Sequence, residues 1–206
     1  MKSIGPFQYR LFQKLYEKAG REMCRECEKY VPCDSQILDL GCGSGIVSKE
    51  FEKFFNSEVL GLDIIDNRVI PIPFRLYKGD NLNFLKDNSY EAVLINFVLH
   101  HCQNPIELLK ESKRVSGKTI VIYENLNEGL LSKLFCFLHG ISFACFFQKN
   151  SNRGKFCTDG QWRKIFNDLG MEVVFSKRVS SWYNPMKEQL YILKKGCVAQ
   201  LVRARH

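Results

Sequence analysis

The sequence predicts an α/β fold: a doubly wound sheet of about seven strands, mostly parallel. Three observations lead there. Short apolar segments rich in branched residues alternate with amphipathic stretches from residue 36 onward. The segment Gln36 to Gly45, QILDLGCGSG, is a buried strand, an acid and a glycine-rich turn that opens a helix. Two further strand-like segments close the chain after a capped helix. At 206 residues the chain suits one domain with a full core.

The elements follow in order. Phe7, Leu11, Leu15 and Ala19 recur at helical spacing over residues 7–29, predicting an amphipathic helix that Pro32 ends. The first strand is read at Ile37 to Leu40 and the first helix at Val47 to Phe55. The second strand is Val59 to Asp63; Pro71 and Pro73 then leave the second helix short or absent. Arg75 to Tyr77 is a weak third strand, and Ala92 to Asn96 a buried fourth. Asn104 as N-cap and Pro105 at the first helical position launch a helix to Val115. Thr119 to Tyr123 is a β-branched fifth strand.

Residues 126–155 break the rhythm. LLSKLFCFLHGISFACFF is apolar and aromatic, and two readings stay open: a wall of a substrate pocket, or a buried helical hairpin that fills core. Thr158 and Gln161 have capping-box spacing before a helix Trp162 to Leu169, which Gly170 ends. Met171 to Ser176 and Leu190 to Leu193 are the last two strands. The final stretch, residues 196–206, is expected to be a disordered tail: VAQLVRA is what the D-arm region of a transfer-RNA gene encodes in one frame.

The glycine turn carries the chemistry. Gly41, Gly43 and Gly45 permit unusual backbone angles and close ligand approach, and Ile46 stands where a dinucleotide fingerprint would place Gly or Ala. Asp39 lies just before the turn, where its carboxylate can meet a cationic or hydrogen-bond-donating group. DLGCGSG resembles motif I of class I S-adenosylmethionine-dependent methyltransferases. EVLGLD (58–63), KGDN (78–81), SYEAVLINFVLHH (89–101) and TDGQWRKIFNDLGMEVV (158–174) resemble later motifs of the small-molecule and lipid branch, in the expected order.

That resemblance covers residues 36–125 well and 156–194 loosely, and it implies a Rossmann-like sheet whose last two strands form an antiparallel hairpin. It implies one methyltransferase domain over residues 1–195, with 1–33 as a helical cap over the cofactor and 126–155 as a substrate-side insert. The implied cofactor is S-adenosylmethionine, leaving as S-adenosylhomocysteine. Asp39 would meet its amino group, Gly41, Gly43 and Gly45 its amino-acid end, and Asp63 both ribose hydroxyls. Asp80 and Asn81 would bracket the adenine, with Ile64 or Leu82 on its face and Asn96 at the fourth strand's end. His100 and His101 stand where an acceptor would sit, as base, as orienting group or as scaffold. Glu124 and Asn125 form a second polar cluster on that rim. Tyr9 and Tyr16 could close over the site or simply pack.

Several classes are excluded or demoted. Asn96 is followed by Phe97, Val98 and Leu99 rather than Pro-Pro-aromatic, which disfavours exocyclic amines of nucleic acid; no Pro-Cys pair supports cytosine C5 chemistry. A small-molecule or lipid-like acceptor therefore leads, ahead of an RNA or protein methyltransferase and of a non-catalytic cofactor-binding protein. The net charge of +8 is dispersed, so nucleic acid is not favoured as a partner. Nine cysteines, an odd number, argue for reduced thiols in a cytoplasmic setting. Cys24, Cys27 and Cys33 lack a fourth ligand at usable spacing, so no metal is expected there. Charges interrupt the early apolar residues, so no secretory leader is expected, and the apolar run 134–147 is too short for a confident membrane span.

Overall fold

In a computed structural model, residues 11–78, 81–147, 156–179 and 186–196 are described, the side chains of 140 and 142–147 excepted. The elements are α1 (Gln13–Cys27), β1 (Gln36–Leu40), α2 (Ile46–Phe55), β2 (Glu58–Asp63), β3 (Phe74–Leu76) and β4 (Tyr90–Asn96). A single 3-10 turn (Leu99–His101) precedes α3 (Pro105–Val115) and β5 (Ser116–Leu126). Then come α4 (Leu130–Phe147), α5 (Asp159–Asp168), β6 (Met171–Val179) and β7 (Lys187–Lys195). Together the strands make one seven-stranded sheet in the order β3-β2-β1-β4-β5-β7-β6. The first five are parallel to their neighbours, while β7 runs antiparallel to both β5 and β6.

Alternation along the strands divides the core into two faces. Leu38 and Leu40, Val93 and Ile95, and Ile120 and Ile122 point to the layer that holds Leu108 and Leu109 of α3 and Trp162 and Phe166 of α5. Ile37, Ala92, Leu94, Val121 and Tyr123 point the other way, against Met23, Cys24 and Cys27 of α1 and Phe51 and Phe55 of α2. Gly20 lets α1 approach α2, since a Cβ there would stand 3.2 Å from the Glu50 Cβ.

The helix caps are where the sequence puts them. Asn104 accepts from the Glu107 N–H with Pro105 at the first position. Thr158 and Gln161 form a reciprocal capping box, and Gly170 closes the helix at φ +63°. No helix links β2 to β3, as the two prolines imply; the Val69 N–H donates instead to the Ser44 carbonyl at 3.0 Å, laying this segment along the glycine turn.

Four readings need correction. α1 ends at Cys27, well before Pro32, because Tyr30 and Val31 donate back to the Cys27 carbonyl and Val31 plugs the core. The third strand lies one residue earlier than read, because Tyr77 turns into the core while its N–H bonds the Asp63 carbonyl. β5 runs three residues further at each end, carried by pairing with β7 as far as Leu126 opposite Lys187. The buried hairpin is not found: residues 130–147 are one helix, and Leu130, Leu131, Leu134, Phe135, Phe137, Leu138 and Ile141 are solvent-exposed. Among the described residues, no helix is long and apolar enough to cross a membrane. The expected tail beyond Gly196 lies outside the described residues.

Candidate functional site

The loops after the parallel strands gather at one edge of the sheet, where ligands of open α/β sheets bind. Gly41, Gly43 and Gly45 all have positive φ (+78°, +50° and +75°). At Gly41 a Cβ would fall 2.3 Å from a Val98 methyl, so the turn after β1 lies directly on the loop after β4. Both the Gly41 and Cys42 N–H groups donate to the Leu62 carbonyl, at 2.7 and 3.1 Å. Gly43 N–H donates to Asp63 Oδ2 at 2.9 Å, and Ile65 N–H to Asp63 Oδ1 at 3.3 Å. Burial raises the Asp63 carboxyl above its ordinary value while these N–H donors pull it down.

Asp39 is almost sealed in, at 1% exposure. Its Oδ2 accepts from the Ser48 hydroxyl at 2.6 Å, on the first turn of α2, whereas Oδ1 has no partner. Burial pushes this carboxyl up to about 7; the Ser48 bond opposes that and the nearby Asp63 adds to it. Asn96, at the end of β4, has neither side-chain polar atom satisfied, and Asn125 near the end of β5 leaves its Oδ1 bare. Buried polar groups are almost always paired in a finished structure, so orphans signal something to be bound. By strand alternation Asp39, Asp63, Asn96 and Asn125 share the sheet face that carries α1 and α2. Phe97 follows Asn96 with φ +57°, a backbone state that costs a non-glycine residue about 1–3 kcal/mol and collects at functional sites.

The opposite face of the same rim holds imidazoles. His100 is buried and its Nδ1 lies 2.6 Å from Glu124 Oε2, while Glu124 Oε1 accepts from the Leu99 N–H at 2.7 Å. His100 Nε2 has no partner. His101 and His139, the latter on α4, bring their Nε2 atoms to 3.3 Å. Burial, with the neighbouring His100, pushes the His101 imidazole down to about 2 and His139 below its ordinary value. Phe156 stacks on His100 at 4.6 Å between ring centroids.

The structure thus brings Asp39, Gly41, Gly43, Gly45, Asp63, Asn96, His100 and His101 to one rim. Ile64 is 46% exposed beside Asp63, whereas Leu82 is wholly buried in the core and leaves Ile64 as the apolar face there. Asn81 uses its side-chain carbonyl to accept from Asn83 N–H at 2.7 Å. Asp80 and Tyr9 lie outside the described residues. Cys24 and Cys27 are buried in the α1 packing face and Cys33 is exposed; burial pushes the Cys24 thiol up to about 12. A cleft of about 250 Å³ between Asp87, Asn88, Lys113, Arg114 and Lys195 belongs to the other end of the strands. Sequence reasoning missed Ser48, the Glu124–His100 pairing and His139. A serine two positions into a helix that starts at an acid-tipped turn was a readable signal, and so was a histidine alone in an apolar helix.

Residues 38–120 match a family model described as a methyltransferase domain. Over this stretch the chain is similar to the S-adenosylmethionine-dependent methyltransferases. It is similar to an uncharacterized methyltransferase of Schizosaccharomyces pombe, 32% identical over 43% of this chain and 38% of that protein. The chain therefore spans less than half the length of that relative. It is also similar to a ubiquinone biosynthesis O-methyltransferase of Neisseria meningitidis, 22% identical over 70% of this chain and 67% of that one. Among solved structures, an S-adenosylmethionine-dependent methyltransferase of Methanosarcina mazei superposes with a TM-score of 0.63 at 18% identity, over 82% of this chain and 96% of that one. At that identity the likeness speaks for the fold. The methyltransferase fold has the seven-stranded sheet with an antiparallel C-terminal pair described above.

Proposed function

We propose that this chain transfers a methyl group from S-adenosylmethionine to a small or apolar acceptor. The observation that carries the reading is the set of unpartnered buried polar atoms on Asp39 and Asn96 beside the glycine turn. A polar, cationic cofactor fits those atoms. Asp39 Oδ1 would accept from the cofactor's amino group, and the N-terminus of α2 beyond Gly45 favours its carboxylate. Asp63, already oriented by Gly43 and Ile65, keeps acceptor capacity for ribose hydroxyls. Ile64 offers an exposed apolar surface for the adenine, with Asp80 and Asn81 as partners for its amino group. Gly41 and Gly43 leave room for the amino-acid end, and Asn96 stands between cofactor and acceptor.

When bound, the cofactor supplies an electrophilic methyl on sulfur, displaced in line by the acceptor. The protein's work is to align the two and keep water out. His100, fixed by Glu124, and His101 stand at the rim where they would orient the acceptor. The name of the Neisseria relative supports a small-molecule acceptor. The apolar side chains exposed on α4 support one with an apolar body. Free cysteines, Cys33 exposed among them, suit a reducing compartment such as the cytoplasm.

Calorimetric titration with S-adenosylmethionine and S-adenosylhomocysteine tests the cofactor. Micromolar binding of both, weakened in Asp63→Ala, is expected. No binding by folded protein overturns the reading. Transfer of a labelled methyl group to phenolic quinone precursors rather than to bulk tRNA then tests the acceptor class.

A further inference from the structure

The imidazoles on the rim have a geometry that proton transfer alone does not require. His100, His101 and His139 each offer a ring nitrogen, and these atoms all lie within 4.8 Å of one another. The His101–His139 Nε2 separation is 3.3 Å. Two nitrogens bound to one tetrahedral zinc, at a Zn–N length of about 2.0–2.1 Å, stand about 3.3–3.4 Å apart. That edge of a coordination tetrahedron is already in place. The other separations lie within 4.8 Å and would have to shorten to the same edge length.

The third nitrogen is prepared in the way metal ligands are. His100 is 1% exposed, its Nδ1 is held by the Glu124 carboxylate at 2.6 Å, and its buried Nε2 has no partner. A carboxylate on the far nitrogen fixes tautomer and ring orientation, and raises the basicity of the free nitrogen. Glu124 is itself fixed by the Leu99 N–H at 2.7 Å. His139 also falls on the right side of its helix. Among the described side chains of α4, Ser132 and Cys136 are the buried ones, both reaching the Leu126 carbonyl, and His139 continues that row at i+7 from Ser132.

We propose that His100, His101 and His139 form a site for a divalent transition-metal ion of the zinc type, with Glu124 as the outer carboxylate. The ion ties α4 to the loop after β4, and three protein ligands leave a coordination position for water or an acceptor oxygen. This site is distinct from the Cys24–Cys27–Cys33 group.

The test uses tag-free full-length protein, freed of metal by chelator and titrated with Co²⁺ and then Zn²⁺. One equivalent of Co²⁺ should bind with visible ligand-field bands and without thiolate charge transfer, and zinc should displace it. Cys33→Ser should bind as wild type does. His139→Ala and the milder His139→Gln should each lose at least tenfold in affinity for Zn²⁺, while circular dichroism and S-adenosylmethionine binding stay as in wild type. Failure of the folded protein to take up either ion overturns the proposal. So do unchanged affinity in both His139 variants and a thiolate charge-transfer band. Because cofactor binding is read separately, a missing metal site leaves the methyltransferase reading standing.

Discussion

The Gly43 N–H donates to the Asp63 carboxylate at 2.9 Å, joining the turn after β1 to the end of β2. One carboxylate therefore shapes the glycine turn and, in the proposed function, also receives the ribose. Asp63→Ala removes both duties. Loss of a hydrogen bond to a charged acceptor is worth about 1.5–3 kcal/mol. Cofactor affinity should fall at least tenfold by calorimetry, with a smaller loss in urea-unfolding stability. Asp63→Asn, which can still accept from Gly43, should keep the stability and lose most of the affinity.

Asp39 gives a pH signature. Burial raises its carboxyl from 3.8 to about 7. Between those values the native state holds a proton that the unfolded chain has released. Its stabilising contribution is complete below pH 3.8 and is lost as pH rises through about 7. A cationic amino group favours the ionised form, so cofactor affinity should rise as pH approaches 7 and level off above it. Binding at pH 6 should release a proton, read by calorimetry in buffers of different ionisation enthalpy. Asp39→Asn should abolish that release and, at pH 8 without cofactor, melt no lower than wild type.

Gly41 should tolerate no side chain. An alanine there meets a Val98 methyl at 2.3 Å and adopts φ +78°. The two costs together are about 2–5 kcal/mol. Thermal and urea unfolding of Gly41→Ala should show it, and adding Val98→Ala should restore only the steric part.

Glu124 is fully buried and accepts from both Leu99 N–H and His100. Glu124→Ala strands both donors, a loss of about 2–5 kcal/mol in urea unfolding. Glu124→Gln keeps one acceptor and should lose less than half as much. Folded Glu124→Gln should bind cofactor normally, because Asp39 and Asp63 lie on the other face of the sheet.

Helix ends were the most legible parts of the sequence. Asn104 with Pro105, Thr158 with Gln161, and Gly170 are local signals, and local chemistry decides a cap. Strand centres were legible from apolar runs, but strand lengths were not. β5 continues through Glu124 and Asn125 because β7 pairs alongside it, a partner nearly seventy residues away in sequence. The rim proposed for the cofactor was read from motif order; Asp39, Asp63 and Asn96 lie on one face of the sheet at the ends of β1, β2 and β4. α4 defeated periodicity because it is apolar on nearly every side, so the row of buried Ser132 and Cys136 and half-buried His139 carries no contrast. His139 meets His100 and His101 only through tertiary folding.

The place of β7 has a consequence for how the molecule is made. This last strand lies between β5 and β6 rather than at the margin of the sheet. During synthesis β6 emerges with no neighbour to pair with, and the edge of β5 stays open until Lys187–Lys195 arrives. The nascent chain thus presents an uncapped β5 edge from the synthesis of Leu126 until Lys187 is made. A ribosome that stalls before Lys187 leaves a five-stranded sheet ready to pair with its neighbours, and such fragments are natural clients for chaperones and proteases.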